Sequence, residues 1–525
     1  MSFKLFLRLF MVFVVVSVIS TARNPWRKKG KELPCQSMPC QNGGTCTNTD
    51  TSYTCTCNEG WSGQDCSIKI PACQSMPCQN GGTCTNTDTS YTCTCNEGWS
   101  GQDCSNFDGV FKYEYALMIM LNHFYASTES SLIYMTTSTS ATIEISTSNN
   151  LEPSLKTAID QTLFFASELK VALPPEMQSI SFQKELKAVK IRSTEPLSVV
   201  LFDNNYLQSN DGTLISPVKK LKTRYLVASS EPRFARHPVY ASLFGVAALE
   251  DETLVTINFK LGNNSMPLTI NGQNYSDSDT FEISLNNLET LQMEHSTDLS
   301  GTLVESSKPV AVFSGNRCNM FPESIRCSHF LEQMIPTADW GSSYIVPADF
   351  SSDGTLVSLM TDQSSTEPTT IRVGDSSQTI NVLPRAPYQF SLKANESAFI
   401  SGRVFVSSFA KGNINKPNAG SPYMVTIPNT VQSKSQYLIP IPEGYLTNYV
   451  TITTEGNIKS YLRLNGQAVE EGKIRFEYND DVSILTLEVS PGMLDIMSTS
   501  GSKFGLVVFG YRYFDSYGFA ANSVP

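Results

Sequence analysis

The segment YLVASS, residues Tyr225 to Ser230, returns as YIVPAD at Tyr344 and as YLIPIP at Tyr437. Each copy precedes a VTI-like strand segment, at Val255, Val357 and Val450. Strand-and-turn units come next as LTINGQ at Leu268, TIRVGD at Thr370 and LRLNGQ at Leu462, the last two residues of each suiting a tight turn. A third register appears in AVKIRSTEPLSVVLF, GTLVESSKPVAVFSG, AFISGRVFVSSFAKG and LDIMSTSGSKFGLVVFG. Four divergent units of roughly a hundred residues each therefore fit the span from about Phe107 to Pro525. Short runs rich in Val, Ile, Thr, Phe and Tyr, broken by Gly, Pro, Asn and Asp, predict an all-β region, and several strands per unit predict tandem β-sandwiches. A β-propeller is the alternative, although its blades are usually only about 40 to 50 residues. The one weak helical period lies around Thr157 to Lys170.

Before this region the composition is different. Cys35 to Ser67 is identical to Cys73 to Ser105, a period of 38 residues with six cysteines in each copy. A unit so short cannot bury enough apolar surface to offset its chain entropy, so cross-links are the expected source of its stability. Zinc is the competing reading, but no second CxxC or HxxxH half is present and the cysteine counts are even. Cysteine counting alone leaves fifteen connectivities for each copy.

The N-terminus indicates an oxidising compartment. Lys4 and Arg8 precede an apolar run from Leu9 to Val16 that continues through Val18 and Ile19, and Ser20 to Ala22 suit a signal-peptidase site. Residues 1–22 are thus expected to be a signal peptide, with an uncleaved anchor as the alternative reading. Residues 23–30 form a basic linker, and Arg23, Arg27, Lys28, Lys29 and Lys31 make a small cationic patch. No later run is long and apolar enough to span a bilayer. The mature chain is expected to be soluble, secreted and extracellular, not an integral membrane protein. A net charge of −11 argues against nucleic acid as a partner.

The order C-x4-C-x5-C-x8-C-x-C-x8-C, ending in GWSGQDC, resembles the epidermal growth factor (EGF) repeat over the whole of both copies, 31–67 and 69–105. The resemblance implies pairing of first with third, second with fourth and fifth with sixth cysteines. That gives Cys35 with Cys46, Cys40 with Cys55 and Cys57 with Cys66, then Cys73 with Cys84, Cys78 with Cys93 and Cys95 with Cys104. It also implies O-glycosylation at Ser37, Thr45 and Ser62 and at Ser75, Thr83 and Ser100, and hydroxylation at Asn48 and Asn86, as in Notch-type repeats. Tight turns at Gly43, Gly44, Gly60 and Gly63 explain part of the same pattern without any modification. Calcium-binding repeats place several oxygen ligands before the first cysteine; KKGKELPC and IKIPAC offer one carboxylate, Glu32, or none, so calcium is not expected.

The stretch PVAVFSGNRCNMFPESIRCSHFLEQMIPTADWGSSYIVP, Pro309 to Pro347, resembles the N-terminal domain of the IgG Fc-binding protein family. The likeness extends more loosely over 107–525, including LNHF at Leu121 and the closing GYRYFDSYGF. It implies a disulfide between Cys318 and Cys327, and a secreted adhesive, mucus- or matrix-associated binding protein whose partners are extracellular proteins or glycans. N-glycan acceptor triplets stand at Asn263, Asn274 and Asn395.

Catalytic signals are weak. His123, His237, His295 and His329 are scattered, and HExxH and GxSxG motifs are absent. His329 beside Cys327 and Glu332 is the one constellation that suits a cysteine nucleophile, but a disulfide and a packed histidine explain the same residues. The SxxK matches, such as Ser167 to Lys170, are of the number expected by chance. Neither an enzyme nor a cofactor is expected. A signalling modulator acting through the EGF-like repeats and an undetected hydrolase with a carboxylate pair are the alternatives. The expected mechanism is repeated weak contact by several similar surfaces on one chain.

Overall fold

The computed structural model describes residues 34–87, 90–122, 130–203, 210–234, 238–262, 265–324, 326–363, 367–415, 421–479 and 482–521. The signal segment, the basic linker, Asn263, His123 and His237 lie outside them. Two compact bodies form: residues up to Pro77 with Cys84–Cys93, and Cys78–Thr83 with Thr94–Pro525.

In the first body, the hairpin Thr45–Asn48 with Tyr53–Thr56 sets Cys46 opposite Cys55, and each bonds outward, to Cys35 and Cys40. Cys57 pairs with Cys66. Between 34 and 70 only Cys66 is buried, so no apolar core holds this module. Its three bridges close loops with separations of 9 to 15 residues. Each such loop is worth about 2 to 4 kcal/mol. Cys73–Cys84 repeats the first bridge, and Asn48 and Asn86 each accept the N–H of the first cysteine of their module at 3.0 Å.

In the second body, Cys95 bonds Cys104. Cys78 is disulfide-bonded as well, as is Cys93 of the first body. The two identical sequences diverge at their tryptophans. Trp61 is half-buried, whereas Trp99 is buried, donates its indole N–H to Thr142 Oγ1 at 2.9 Å and packs on Phe107. The Trp99 end of the second module is thereby seated on the first sandwich of the long region.

That long region is four two-sheet sandwiches, not single-sheet propeller blades. In the third, one sheet orders Tyr388–Leu392, Thr355–Met360, Phe405–Ala410 and Tyr423–Thr426. The other orders Ser343–Val346, Ala398–Ser401, Thr369–Val373 and Ser376–Ile380. The first shares the same plan, and so does the fourth apart from an added edge strand, Ile474–Asn479. In the second, a 17-residue strand, Leu303–Asn319, runs through both layers and merges the sheets. The helical period expected near Thr157 to Lys170 is mostly two strands of opposite sheets, Gln161–Phe165 and Glu168–Leu173. The helix is shorter and earlier, Pro153–Ile159, because Glu152 caps Leu155 N–H and Pro153 suits the first turn.

The recurrent tyrosines explain the repeated segments. Tyr225 OH accepts the Lys222 N–H at 2.9 Å and donates to Val310 O at 2.8 Å. Tyr437 does the same with Lys434 and Phe504, and Tyr344 with Gly341 and Val404. Tyr115, which the repeat pattern does not flag, bonds Leu197 N–H and O, both at 2.9 Å, and supplies the fourth lock. Burial pushes the Tyr437 hydroxyl up to about 12 and the other three further. All four stay protonated donors, each bond contributing about 1 kcal/mol.

The last strand of each sandwich lies at a sheet edge: Asp211–Leu214, Ser328–Gln333, Tyr423–Thr426 and Asp515–Ala520. Every residue of these four edges is buried. They are covered because they meet: the first packs on the second and fourth, and the third packs on the same two, closing a ring around a common axis. The innermost strand of every unit is spent on the ring, so any similar surfaces of the tandem units lie on their outer faces.

Four converging edges bring unpaired N–H groups into a dry interior, where each needs an acceptor. Asp211 supplies it. One carboxylate oxygen accepts from Gly212 at 2.9 Å and Gly518 at 3.1 Å, the other from Leu331 at 3.2 Å and, more weakly, Met424 at 3.5 Å. All four sandwiches are thus pinned to one side chain. Glu332 accepts Thr426 N–H at 2.8 Å and Thr213 Oγ1–H at 2.9 Å, and burial raises its pKa to about 8. Gly315, in the SG of the third register, lies so close to the Ser328–Gln333 strand that a Cβ would stand 1.8 Å from Phe330 O. Only glycine fits there.

Candidate functional site

Each innermost strand is reached through a hairpin loop, and contacts among the described parts of these loops bring them to one end of the axis. Segment 320–327 belongs to the second sandwich and the turn Tyr513–Phe514 to the fourth. Asn210 ends the first loop; Ile414 and Ser421 flank the third. Residues 204–209, 325 and 416–420 lie outside the described residues.

The loops brace one another. Arg326 lies 4.8 Å over the Phe514 ring, Ser421 Oγ donates to Phe514 O at 2.6 Å, and Lys411 pairs with Glu323 at 3.5 Å. Asn210 donates its backbone and side-chain N–H to Asp515 at 3.2 and 2.8 Å, and Tyr445 and Arg512 donate to the same carboxylate. Asp349 accepts from Tyr423 OH at 3.0 Å and Tyr511 OH at 2.9 Å, joining the third and fourth sandwiches below the loops.

The tip of this crown is apolar and held under strain. Arg512 pairs with Asp515, so Tyr513 and Phe514 form a two-residue hairpin loop, where left-handed backbone normally selects Asn or Gly. Phe514 adopts φ 61°, and Tyr513 is 52% exposed. Ile414 is also exposed, and so is Leu446, whose N–H donates to Tyr511 O beside the turn. Strain of this kind costs about 1 to 3 kcal/mol and concentrates at functional sites. Exposed Tyr beside Arg on a rigid scaffold is the composition of a protein-binding hot spot.

The residues considered for chemistry are placed otherwise. Cys327 is bonded to Cys318, closing the base of the 320–327 loop. His329 is fully buried, with Nδ1 3.2 Å from Arg317 O and Nε2 3.5 Å from Asp203 Oδ2. Burial drives His329 down and Asp203 up, although each opposes the other's shift. Glu332 faces Thr213 and Thr426, so Cys327, His329 and Glu332 do not assemble as a nucleophilic triad. His295 Nε2 lies 2.9 Å from Met266 O and Nδ1 2.8 Å from Thr297 Oγ1. Among the described residues no group of His, Cys, Asp and Glu is arranged to hold a metal, and no helix is long and apolar enough to cross a membrane.

Ser37, Thr45, Ser75, Thr83, Asn48 and Asn86 are exposed, while Ser62 and Ser100 are half-buried. Ser37 and Ser75 Oγ each donate to a carbonyl three residues back at 2.8 Å. Asn274, on the short strand Gln273–Tyr275, and Asn395, in a turn, are both exposed. The crown itself escaped sequence reading. Its only signal is the adjacency of Tyr513 and Phe514 in a position that turn chemistry reserves for small residues.

Comparison with known proteins agrees with this architecture. A family model described as IgGFc binding protein matches residues 211–510, and the EGF-like domain model matches 35–65 and 73–103. The first match starts at Asp211, so it leaves most of the first sandwich outside although that unit has the same strand plan. Among curated proteins, the human IgGFc-binding protein is 26% identical over 339 residues, 64% of this chain and 6% of that one. Human Multimerin-1 is 53% identical over 36 residues and the rat Versican core protein 56% over 34, covering 7% and 6% of this chain and 3% and 1% of theirs. The chain thus spans 6% or less of the length of these three relatives. With its family match spanning more than half of its residues, the chain belongs to the IgGFc binding protein family and carries two EGF-like modules at its N-terminal side.

Proposed function

We propose that this chain is a secreted extracellular adhesive or matrix-associated protein that binds a protein partner through the crown, without catalysis. The observation that carries the reading is the strained Tyr513–Phe514 tip, braced by Arg326 from another sandwich. In this reading residues 1–22 are removed on secretion, 31–67 and 69–105 are glycan-bearing spacers, and 107–525 is the binding platform. The name of the human relative makes the Fc part of immunoglobulin G one candidate partner among several.

The test is retention of the secreted chain on a panel of purified extracellular proteins, the Fc fragment and a mucin included, and on a glycan array. Replacing Tyr513 by Ser together with Arg326 by Ala is expected to weaken retention by a protein at least about tenfold, because hot-spot truncations cost more than about 1 kcal/mol. Thermal unfolding should change little, since both side chains are surface-exposed. Retention that ignores this variant but vanishes on deletion of 35–105 would favour the signalling reading, which the exposed Ser37, Thr45, Ser75 and Thr83 support. Turnover on the glycan array would favour a hydrolase.

N-glycans are expected at Asn263, Asn274 and Asn395, the last two being exposed. Intact mass before and after amidase treatment checks this, and an unshifted mass would remove all three.

A further inference from the structure

Four sandwiches on one plan provide an internal comparison of the same outer edge. In the first, the edge strand is Gln161–Phe165, and Gly81 of the second EGF-like module packs against its Phe164: a Cβ on Gly81 would stand 2.6 Å from the ring. The corresponding hairpin strand in the second is Gln273–Tyr275, three residues long and carrying the acceptor triplet at Asn274. In the fourth it is Gln467–Ala468, two residues long. Covering, very short edge strands and charged side chains are devices by which sheet edges avoid pairing with other chains.

The third sandwich uses none of them. Its edge, Ser376–Ile380, is five residues long and pairs only with Thr369–Val373. Ser376 to Thr379 are exposed, no residue from 376 to 383 is charged or proline, and Leu383 just beyond is 66% exposed. Among its three counterparts this is the long, bare and uncharged edge.

We propose that Ser376–Ile380 is a self-association site, where the strand pairs antiparallel with the same strand of a second copy. The sequence suits this occupant. Centred on Gln378, the twofold pairing sets Ser376 opposite Ile380, Ser377 opposite Thr379 and Asp375 opposite Asn381. No like charges then face each other, despite the chain's net charge of −11. A twofold interface is closed, so the product is a dimer and not a fibre. One short strand pair buries less than a standard interface of about 1,600 Å², so the dimer is weak and concentration-dependent.

Sedimentation velocity of the full secreted chain from about 1 to about 200 µM is the test. Wild type is expected to shift toward dimer as concentration rises. The double variants Ser377→Lys with Thr379→Lys, and Ser377→Glu with Thr379→Glu, should each stay monomeric with unchanged unfolding temperature, because the pairing sets position 377 against 379. Mixing the two variants should restore the dimer, a result that misfolding does not mimic. Wild type that stays monomeric throughout, a lysine variant that still dimerises, or a mixture that fails to associate would each overturn the proposal.

Discussion

Replacing Asp211 with alanine is expected to destabilise the four-sandwich body by about 3 to 5 kcal/mol, the cost of stranding several buried N–H donors at once. The donors are Gly212, Gly518, Leu331 and Met424, one from each sandwich, and neither a methyl group nor bulk water reaches them. Burial and the neighbouring Glu332 raise the Asp211 pKa well above the usual carboxylate range, while the N–H donors pull it back. The Asp211→Asn variant retains one acceptor oxygen and turns its NH2 toward the other pair of N–H groups, so about half the loss is expected. Chemical denaturation of the secreted chain, monitored by far-ultraviolet circular dichroism, reads both. An alanine variant with the wild-type midpoint would mean that the ring is held by apolar packing alone.

Reduction is expected to unfold the EGF-like modules and leave the sandwiches largely folded. Each module rests on three disulfides worth about 2 to 4 kcal/mol apiece, and Cys66 is the sole buried residue between 34 and 70. The sandwiches rest on extensive apolar clusters with one local bridge, Cys318–Cys327. Limited proteolysis with and without reductant, read by mass spectrometry, should release peptides from 35–104 only in the reduced sample while a fragment beginning near Phe107 persists. Earlier loss of that fragment would contradict the assignment of stability to burial.

Much of the architecture was legible because it repeats. Tyr225, Tyr344 and Tyr437 recur since each must reach the same kind of backbone carbonyl, and Gly315 stands in its motif because no Cβ fits. Tyr115 was not legible: YEYAL shares only the tyrosine with the other three segments. Nor was the ring, because an edge strand buried on all sides loses the alternation that betrays an ordinary edge. Asp211 and Glu332 look like unpatterned carboxylates in the sequence. Their partners lie as far as 307 residues away, so no local spacing records the contact. The difference between Trp61 and Trp99 has a related origin, since the two modules are identical and only the second is joined directly to a sandwich that can bury its indole.

The most direct measurement is hydrogen exchange of the secreted chain with and without the extracellular protein that the panel retains. Binding through the crown predicts slowed exchange at 320–327 and 511–516, the second and fourth loops together, with 35–105 unchanged. Slowing confined to 35–105, or to the outer sheets of single sandwiches, would contradict a site built jointly by the ring.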